Sequence, residues 1–120
     1  MKYFTPKEFY CKCGKCGKGC ESMSKALLSI LDNIREEAGI PLVILSSIRC
    51  AAHNKSVGGV PSSAHLTGEA VDIACTNPFY RFKILQAAMK HGIKRIGVYN
   101  GFIHIDVSVS LPNEVVWTGK

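Results

Sequence analysis

The sequence of 120 residues contains no long hydrophobic run. A helix that crosses a bilayer needs about 20 consecutive apolar residues, so the sequence predicts no transmembrane segment. The first residues, Met1–Pro6, also lack the apolar stretch of a secretory signal peptide. We therefore expect a protein that stays cytoplasmic until lysis releases it, or one that is carried on a particle.

Acidic residues are scarce relative to basic ones. The chain has 9 Asp and Glu against 15 Lys and Arg, which gives a formal net charge of +6 and a pI near 9.1. Positive charge attracts anionic partners, and both nucleic acid and an anionic cell wall are of this kind; a generally basic surface is the alternative. Aromatic residues are only 8% of the chain and are not interleaved with the charges, so we expect no nucleic-acid partner.

Internal repeats, low-complexity segments and linkers are also lacking. The hydrophobic fraction of 47% and the charged fraction of 20% are ordinary for a globular protein. A chain of this length can bury one core but not two. The sequence therefore predicts a single domain over residues 1–120, with a cysteine-rich N-terminal segment at residues 11–20.

Cysteine, in contrast, is abundant near the N-terminus. Four of the six cysteines lie within ten residues, and they are Cys11, Cys13, Cys16 and Cys20. The glycines between them argue against regular structure, and the spacing is compatible with a structural metal ion, with disulfide bonds or with free thiols. Three lysines in the same segment would offset the charge of thiolates. A second, structural ion is therefore one of three open alternatives.

Hydrophobic periodicity and turn residues divide the rest of the chain into helices and strands. The expected elements are a helix from about Ser22 to Gly39, a central strand at Pro41–Ser46, a strand at 69–75, a helix from Asn77 to His91, and a hairpin of strands 94–99 and 102–108. The second helix is expected to bury a stripe of Phe82, Ile84, Leu85, Ala88 and Met89. This succession predicts an α+β fold with a small, mostly antiparallel sheet flanked by helices.

Three residues of metal-ligand type interrupt or adjoin the strands. His65 precedes Asp72 by seven positions, Asp72 lies inside the apolar run Ala70–Ala74, and His104 lies inside a second strand-like run. A neutral imidazole and a carboxylate both bind Zn²⁺, and a catalytic zinc needs three protein ligands and one open position. The alternative is that Asp72 and His104 are buried polar residues satisfied by hydrogen bonds, with His65 in a loop.

The order and spacing of these residues resemble a known family. The pattern Ser-x-His-x-x-Gly-x-Ala-x-Asp, followed by a strand histidine, is formed by Ser63, His65, Gly68, Ala70, Asp72 and His104. It resembles the zinc D-Ala-D-Ala-type peptidases of the bacterial cell wall, which share the hedgehog/D,D-peptidase fold. The upstream segments 46–50 and 58–63 are similar to the short phage and bacterial branch of that family.

The resemblance implies a fold, a cofactor and a reaction. It implies one catalytic Zn²⁺ held by His65, Asp72 and His104. It also implies hydrolysis of a peptide bond in peptidoglycan stem peptides or cross-links, by a D,D-carboxypeptidase or by an endopeptidase of the endolysin type. Peptidoglycan peptides would then be the partner, and a phage particle or lysis would be the route to the wall.

Further site residues follow from the same resemblance. Arg49 is at the position of an arginine that stabilises the oxyanion or a substrate carboxylate; the alternative is an exposed arginine after a strand. Ser63 and Tyr99 are candidate substrate-binding residues, and Tyr99 is alternatively a packed strand tyrosine.

The catalytic carboxylate departs from the family pattern. Many members have Glu or Asp three residues before the last zinc histidine, where this chain has Gly101. The nearest acid is Asp106, which shares a strand face with His104. Asp106 is the candidate catalytic base; it is alternatively a carboxylate that orients a ligand imidazole, or a pairing residue in the sheet.

Two other hypotheses compete with an active peptidase. The gap at Gly101 is compatible with a catalytically impaired, zinc-containing module that binds the cell wall. The positive charge and the cysteine segment are compatible with a metal-stabilised domain that binds nucleic acid.

Overall fold

The computed structural model describes residues 1–120. The helices are α1 (Lys25–Ala38), α2 (Ala51–Ser56) and α3 (Pro78–Lys90), and the strands are β1 (Ile44–Ser46), β2 (Ala70–Ala74), β3 (Arg95–Val98), β4 (Phe102–Asp106) and β5 (Val115–Thr118). The expected α+β class is therefore confirmed. No helix has both the length and the apolar character that a membrane span requires.

The five strands form one sheet in the order β1-β2-β4-β3-β5. Strands β1, β2, β4 and β3 pair antiparallel in turn, but β5 pairs parallel to β3. The sheet is mixed, which corrects the expectation of a mostly antiparallel one. The cause is non-local: residues 107–114 carry the chain back past β3, so that β5 runs beside it in the same direction.

The strand expected at Pro41–Ser46 is neither central nor as long as expected. β1 has three residues and forms the edge of the sheet, where it pairs only with β2. Leu42 and Ile44 are buried, whereas Val43 is 58% and Leu45 is 46% exposed. This alternation is typical of a strand with one solvated face, although residues 41–45 are all apolar.

The two long helices begin and end where their capping residues stand. The side chain of Ser24 accepts a hydrogen bond from the Leu27 N–H at the start of α1, and Gly39 ends that helix in the left-handed conformation. Asn77 caps α3, and Pro78 occupies its first turn. Both helices were expected at these positions, and both are confirmed.

The stripe that α3 buries is narrower than the sequence suggested. Ile84, Ala87 and Ala88 are buried, and α3 packs against α1. Phe82 is 60% and Met89 is 55% exposed, so their expected place in the stripe is wrong. Positions i, i+3 and i+4 share one helix face, and these two residues lie outside the face that contains Ile84.

Alternation along β2 and β4 separates an apolar face of the sheet from a polar one. The apolar side chains have no exposed surface and join the hydrophobic core that also includes residues of α1 and α3; they are Val71, Ile73, Ile103 and Ile105. The residues between them point to the opposite face. The helices thus cover one face and leave the other for polar side chains.

One row of residues crosses the whole sheet on this second face. Asp72 is paired with Ser46 on one side and with His104 on the other. His104 is paired with Gly97, and Gly97 with Trp117. A Cβ atom at Gly97 would lie only 2.5 Å from Nε1 of Trp117, so the glycine provides the space in which the indole lies beside His104.

Two matched substitutions on α3 test the orientation of the helix. Ile84→Ala removes a fully buried side chain and should lower the free energy of unfolding by about 2–5 kcal/mol. Met89→Ala removes an exposed one and should change it by about 0.5 kcal/mol or less. Denaturant unfolding of both variants measures the difference; equal losses would contradict this orientation of α3.

Candidate metal centre

His65 is positioned by a short 3-10 turn, Ala64–Thr67, just before β2. The side chain of Ser63 caps this turn by accepting a hydrogen bond from the His65 N–H at 3.2 Å. Gly68 ends the turn with a φ of +72°, and a Cβ there would lie 1.9 Å from the Ser22 carbonyl oxygen. The glycine and serine of the sequence motif therefore act locally, since they shape the turn that holds His65.

Asp72 and His104 are brought together by the register of β2 and β4. They are direct antiparallel partners, and Oδ1 of Asp72 lies 2.9 Å from Nδ1 of His104. The same oxygen lies 3.2 Å from Nε2 of His65. One ligand atom from each of the three residues lies within 4.8 Å of the other two. The structure thus assembles the three residues that the sequence suggested.

The outer nitrogen of each imidazole is held by an acceptor that points away from the cluster. Nδ1 of His65 lies 2.7 Å from the carbonyl oxygen of Ser47, which fixes Nδ1 as the protonated nitrogen. Nε2 of His104 lies 2.7 Å from Oδ2 of Asp106. Nε2 of His65 and Nδ1 of His104 are then left to bind a metal, in the arrangement that metal-ligating histidines usually show. The donor set fits Zn²⁺, with a cavity on the open side.

The electrostatics of the cluster follow from burial and these contacts. Burial alone would raise the pKa of Asp72, but its contacts with His104 and His65 outweigh burial and hold that pKa well below the usual range. Burial alone would lower the pKa of His104, but its hydrogen bonds to Asp106 and Asp72 outweigh burial and raise it. Without a metal, the His104 imidazole between the two carboxylates therefore keeps its second proton to a higher pH than a free imidazole would.

Arg49 lies against the cluster and is not exposed as an ordinary surface arginine would be. Its Nη2 donates to Oδ2 of Asp72 at 3.3 Å, its Nε donates to Oγ of Ser46 at 3.1 Å, and its Nη1 donates to Oδ1 of Asn54 at 3.2 Å. The side chain is only 13% exposed. A guanidinium has five N–H donors, so two remain for another partner in the cavity.

Asp106 is buried, and both of its carboxylate oxygens accept hydrogen bonds. Oδ1 accepts from Nε of Arg95 at 2.8 Å and from the Ser108 N–H at 3.1 Å, while Oδ2 faces His104. Burial would raise the pKa of Asp106, but the His104 hydrogen bond, together with Arg95, lowers it. These contacts favour the orienting role over that of a free catalytic base.

A cavity of about 560 Å³ opens on the cluster. Its lining includes all the site residues expected from the sequence outside the cysteine segment, namely Arg49, Ser63, His65, Asp72, Tyr99, His104 and Asp106. Asp72 and Asp106 are the only acidic residues in the lining. The turn at Gly101 does not line the cavity. The cavity therefore has no third carboxylate in place of the acid that the family resemblance implies at position 101.

Tyr99 forms the far wall of the cavity as a packed residue. Its ring stacks on Phe102 with centroids 4.4 Å apart, and its hydroxyl accepts a hydrogen bond from Nε1 of Trp117 at 2.8 Å. The Trp117 ring lies 5.4 Å from the His104 ring and under the guanidinium of Arg95. Tyr99 thus lines the cavity and supports Trp117.

Sequence reasoning did not single out Asn54, Arg95 or Ser47, and it expected Trp117 to pack against either the core or the substrate groove. Asn54 is 4% exposed and also donates from Nδ2 to the carbonyl of Val60. It therefore connects Arg49 to the loop at residues 58–63. An asparagine in a short helix carries no signal of that role in the sequence. The β-branched and aromatic residues of the Val115–Thr118 run are a weak strand signal that could have located Trp117.

The cysteines do not group as the N-terminal segment suggested. Cys11, Cys13 and Cys16 do come together, but the fourth member of their cluster is Cys50, from the segment after β1. Cys20 lies outside the cluster. All six cysteines are free thiols in the structure.

A cluster of two histidines and one aspartate that can hold one metal ion, on the polar face of an α+β sheet and open to a cavity, is characteristic of a metallohydrolase. A family model described as Peptidase M15 matches residues 2–106. The chain therefore belongs to the peptidase M15 family, whose members are zinc-dependent metallopeptidases. No curated protein matches the sequence. The family match confirms the resemblance that the spaced motif suggested.

The raised pKa of His104 predicts how zinc binding depends on pH. The ion must replace the proton that His104 holds above its ordinary pKa of about 6.5. Zinc affinity should therefore increase with pH until the pH passes the raised pKa of His104, and it should level off above that pKa. Competition with a chromophoric chelator measures the affinity, and the difference between wild type and Asp72→Ala isolates this site. Affinity that stays constant between about pH 6 and 8 would contradict the assignment.

Proposed function

We propose that the protein is a zinc-dependent peptidase that hydrolyses a peptide bond in bacterial peptidoglycan stem peptides or cross-links. One observation carries the proposal: Nε2 of His65, Oδ1 of Asp72 and Nδ1 of His104 converge at the wall of an open cavity. Membership of the M15 family supports the reaction class. The bond would involve a D-amino acid, in a carboxypeptidase or an endopeptidase reaction, as the motif resemblance implies.

Bound zinc would supply a Lewis acid that activates water and polarises the scissile carbonyl. The chain contributes the fixed surroundings of that chemistry. The Ser47 carbonyl and the Asp106 carboxylate hold the two imidazoles in the orientation needed for binding. Because both rings are held through their outer nitrogens, little reorganisation is needed when the site is filled.

Arg49 is the residue best placed to bind the negative charge of a substrate. Its guanidinium is fixed by Asp72, Ser46 and Asn54 and still has two N–H donors. A fixed guanidinium suits either the terminal carboxylate of a stem peptide or the oxyanion that develops at the attacked carbonyl. The net charge of +6 also favours approach to an anionic cell wall.

Both carboxylate oxygens of Asp106 already have hydrogen-bond partners, and this favours an alternative function without catalysis. Both acidic residues of the cavity wall are held by histidine and arginine partners. Gly101 stands where the motif resemblance implies an acid in many members of the family. A chain without a free base would bind the wall and turn over slowly or not at all. The second candidate is therefore a zinc-containing module that binds peptidoglycan.

Intact peptidoglycan sacculi distinguish the two functions. The zinc-loaded full chain should release fragments with new amino and carboxyl termini, which mass spectrometry identifies, and Asp72→Ala should not. Cys20→Ser, outside both the cavity and the cysteine cluster, is the matched control and should retain the activity. Co-sedimentation with sacculi but no new termini would favour the binding module. Neither binding nor cleavage would overturn both proposals.

The role of Asp106 is tested by separating zinc binding from turnover. Asp106→Asn removes the charge that holds the His104 ring, so zinc affinity should fall by about 10- to 100-fold. At saturating zinc, kcat should stay near that of wild type. Asp32→Asn on α1, outside both the cavity lining and the candidate metal centre, is the control. A fall in kcat of roughly 10²- to 10⁴-fold at full zinc occupancy would instead identify Asp106 as the general base.

A further inference from the structure

Four cysteine sulfurs from two separate segments meet on the surface of the protein. Cys11, Cys13 and Cys16 come from the N-terminal loop, and Cys50 is the residue that caps α2. The four Sγ atoms lie within 4.8 Å of one another. In a tetrahedral site with Zn–S bonds of about 2.3 Å, the sulfurs are about 3.8 Å apart, so the cluster is close to that spacing.

Every sulfur of the cluster accepts at least one backbone hydrogen bond. Cys13 accepts from the N–H groups of Lys15 and Cys16 at 3.4 and 3.3 Å. Cys16 accepts from the Lys18 N–H at 3.4 Å. Cys11 accepts from the Cys50 N–H, and Cys50 accepts from the His53 N–H, both also at 3.4 Å. Such bonds stabilise thiolates, which are the form that binds metal.

Two glycines make the hydrogen bonds of the loop possible. Gly14 follows Cys13 with a φ of +72°, and Gly17 follows Cys16 with a φ of +77°. The left-handed conformation turns the next N–H back toward the preceding sulfur, and glycine adopts it without steric cost. The loop thus has the Cys-x-x-Cys spacing and the turns of a structural zinc knuckle.

We propose that Cys11, Cys13, Cys16 and Cys50 bind a second, structural Zn²⁺, separate from the site in the cavity. A tetrathiolate zinc carries a net charge of −2, and Lys12, Lys15 and Lys18 in the same loop offset it. Closed four-cysteine sites of this kind are structural and hold no open position for substrate. Cys20 has no part in the site, although it lies in the same ten-residue segment.

The ion would connect the N-terminal loop to the residue next to Arg49. The Arg49 N–H donates to the carbonyl of His65 at 3.0 Å, and the Cys50 N–H donates to Cys11. Binding at Cys50 therefore stabilises the segment from which the Arg49 side chain reaches Asp72. The structural site adds no reacting group; it restricts the position of one.

Zinc content of the full chain tests the proposal. Wild type should bind two Zn²⁺ per chain, Cys50→Ser and Asp72→Ala one each, and the double variant none. Cys20→Ser is the matched control and should retain both ions. Equal zinc content in wild type and Cys50→Ser would overturn the structural site. Zinc lost on Asp72→Ala reports on the cavity site alone, because the two clusters share no residue. Failure of the cavity site to bind zinc is therefore distinguishable from failure of the cysteine site.

Two measurements on wild type remain decisive even if Cys50→Ser does not fold. Replacement of zinc by Co²⁺ should give intense thiolate-to-cobalt charge-transfer absorption, which the histidine and aspartate site cannot produce. Titration of thiols after denaturation without reductant should find all six cysteines free. If only two react, the cluster forms disulfides, and the proposal is overturned. Iron bound instead of zinc would overturn the choice of metal.

Discussion

The pairing of Asp72 with His104 across β2 and β4 is the constraint on which the site depends. A slip of one residue in this register would move either side chain to the apolar face of the sheet. Four fully buried aliphatic side chains on that face fix the register, since a slip would expose them; they are Val71, Ile73, Ile103 and Ile105. The hydrophobic core therefore determines where the ligands point, although no core residue touches the metal site.

Burial of a carboxylate beside two imidazoles requires compensation, and the structure provides it in layers. Oδ2 of Asp72 accepts from Arg49, its Oδ1 faces Nε2 of His65 and Nδ1 of His104, and Asp106 balances His104 on its far side. An unpaired charge at this depth would be strongly destabilising. The same contacts leave both acidic side chains of the cavity occupied, so the network that stabilises the ligands also limits which group can accept a proton.

Local signals in the sequence were sufficient for the elements that carry the site. Ser24, Asn77 and the turn at Asn100 mark element ends through capping and turn chemistry, and the spaced motif singled out the three residues that form the candidate metal centre. Non-local contacts were not predictable in this way. Nothing near Cys50 indicates that it joins a loop more than 30 residues earlier, and the parallel pairing of β5 depends on the path of residues 107–114. The run at β1 gave the wrong position because residues 41–45 are all apolar, whether they face the core or the solvent.

The consecutive backbone amides of residues 49 and 50 connect the cysteine cluster to the candidate metal centre of His65, Asp72 and His104. The Arg49 N–H is bonded to the turn that holds His65, and the Cys50 N–H is bonded to Cys11. A metal in the cysteine cluster would close a loop between the N-terminal segment and α2, and metal-binding free energy contributes directly to folding in such sites. Helix α2 also contributes Asn54, which accepts a hydrogen bond from Nη1 of Arg49. A metal in the cysteine cluster would therefore stabilise the backbone next to Arg49, through Cys50, and the guanidinium, through α2. The position of Arg49 over Asp72 thus depends on the N-terminal loop and α2 as well as on the Ser63–Asp72 motif.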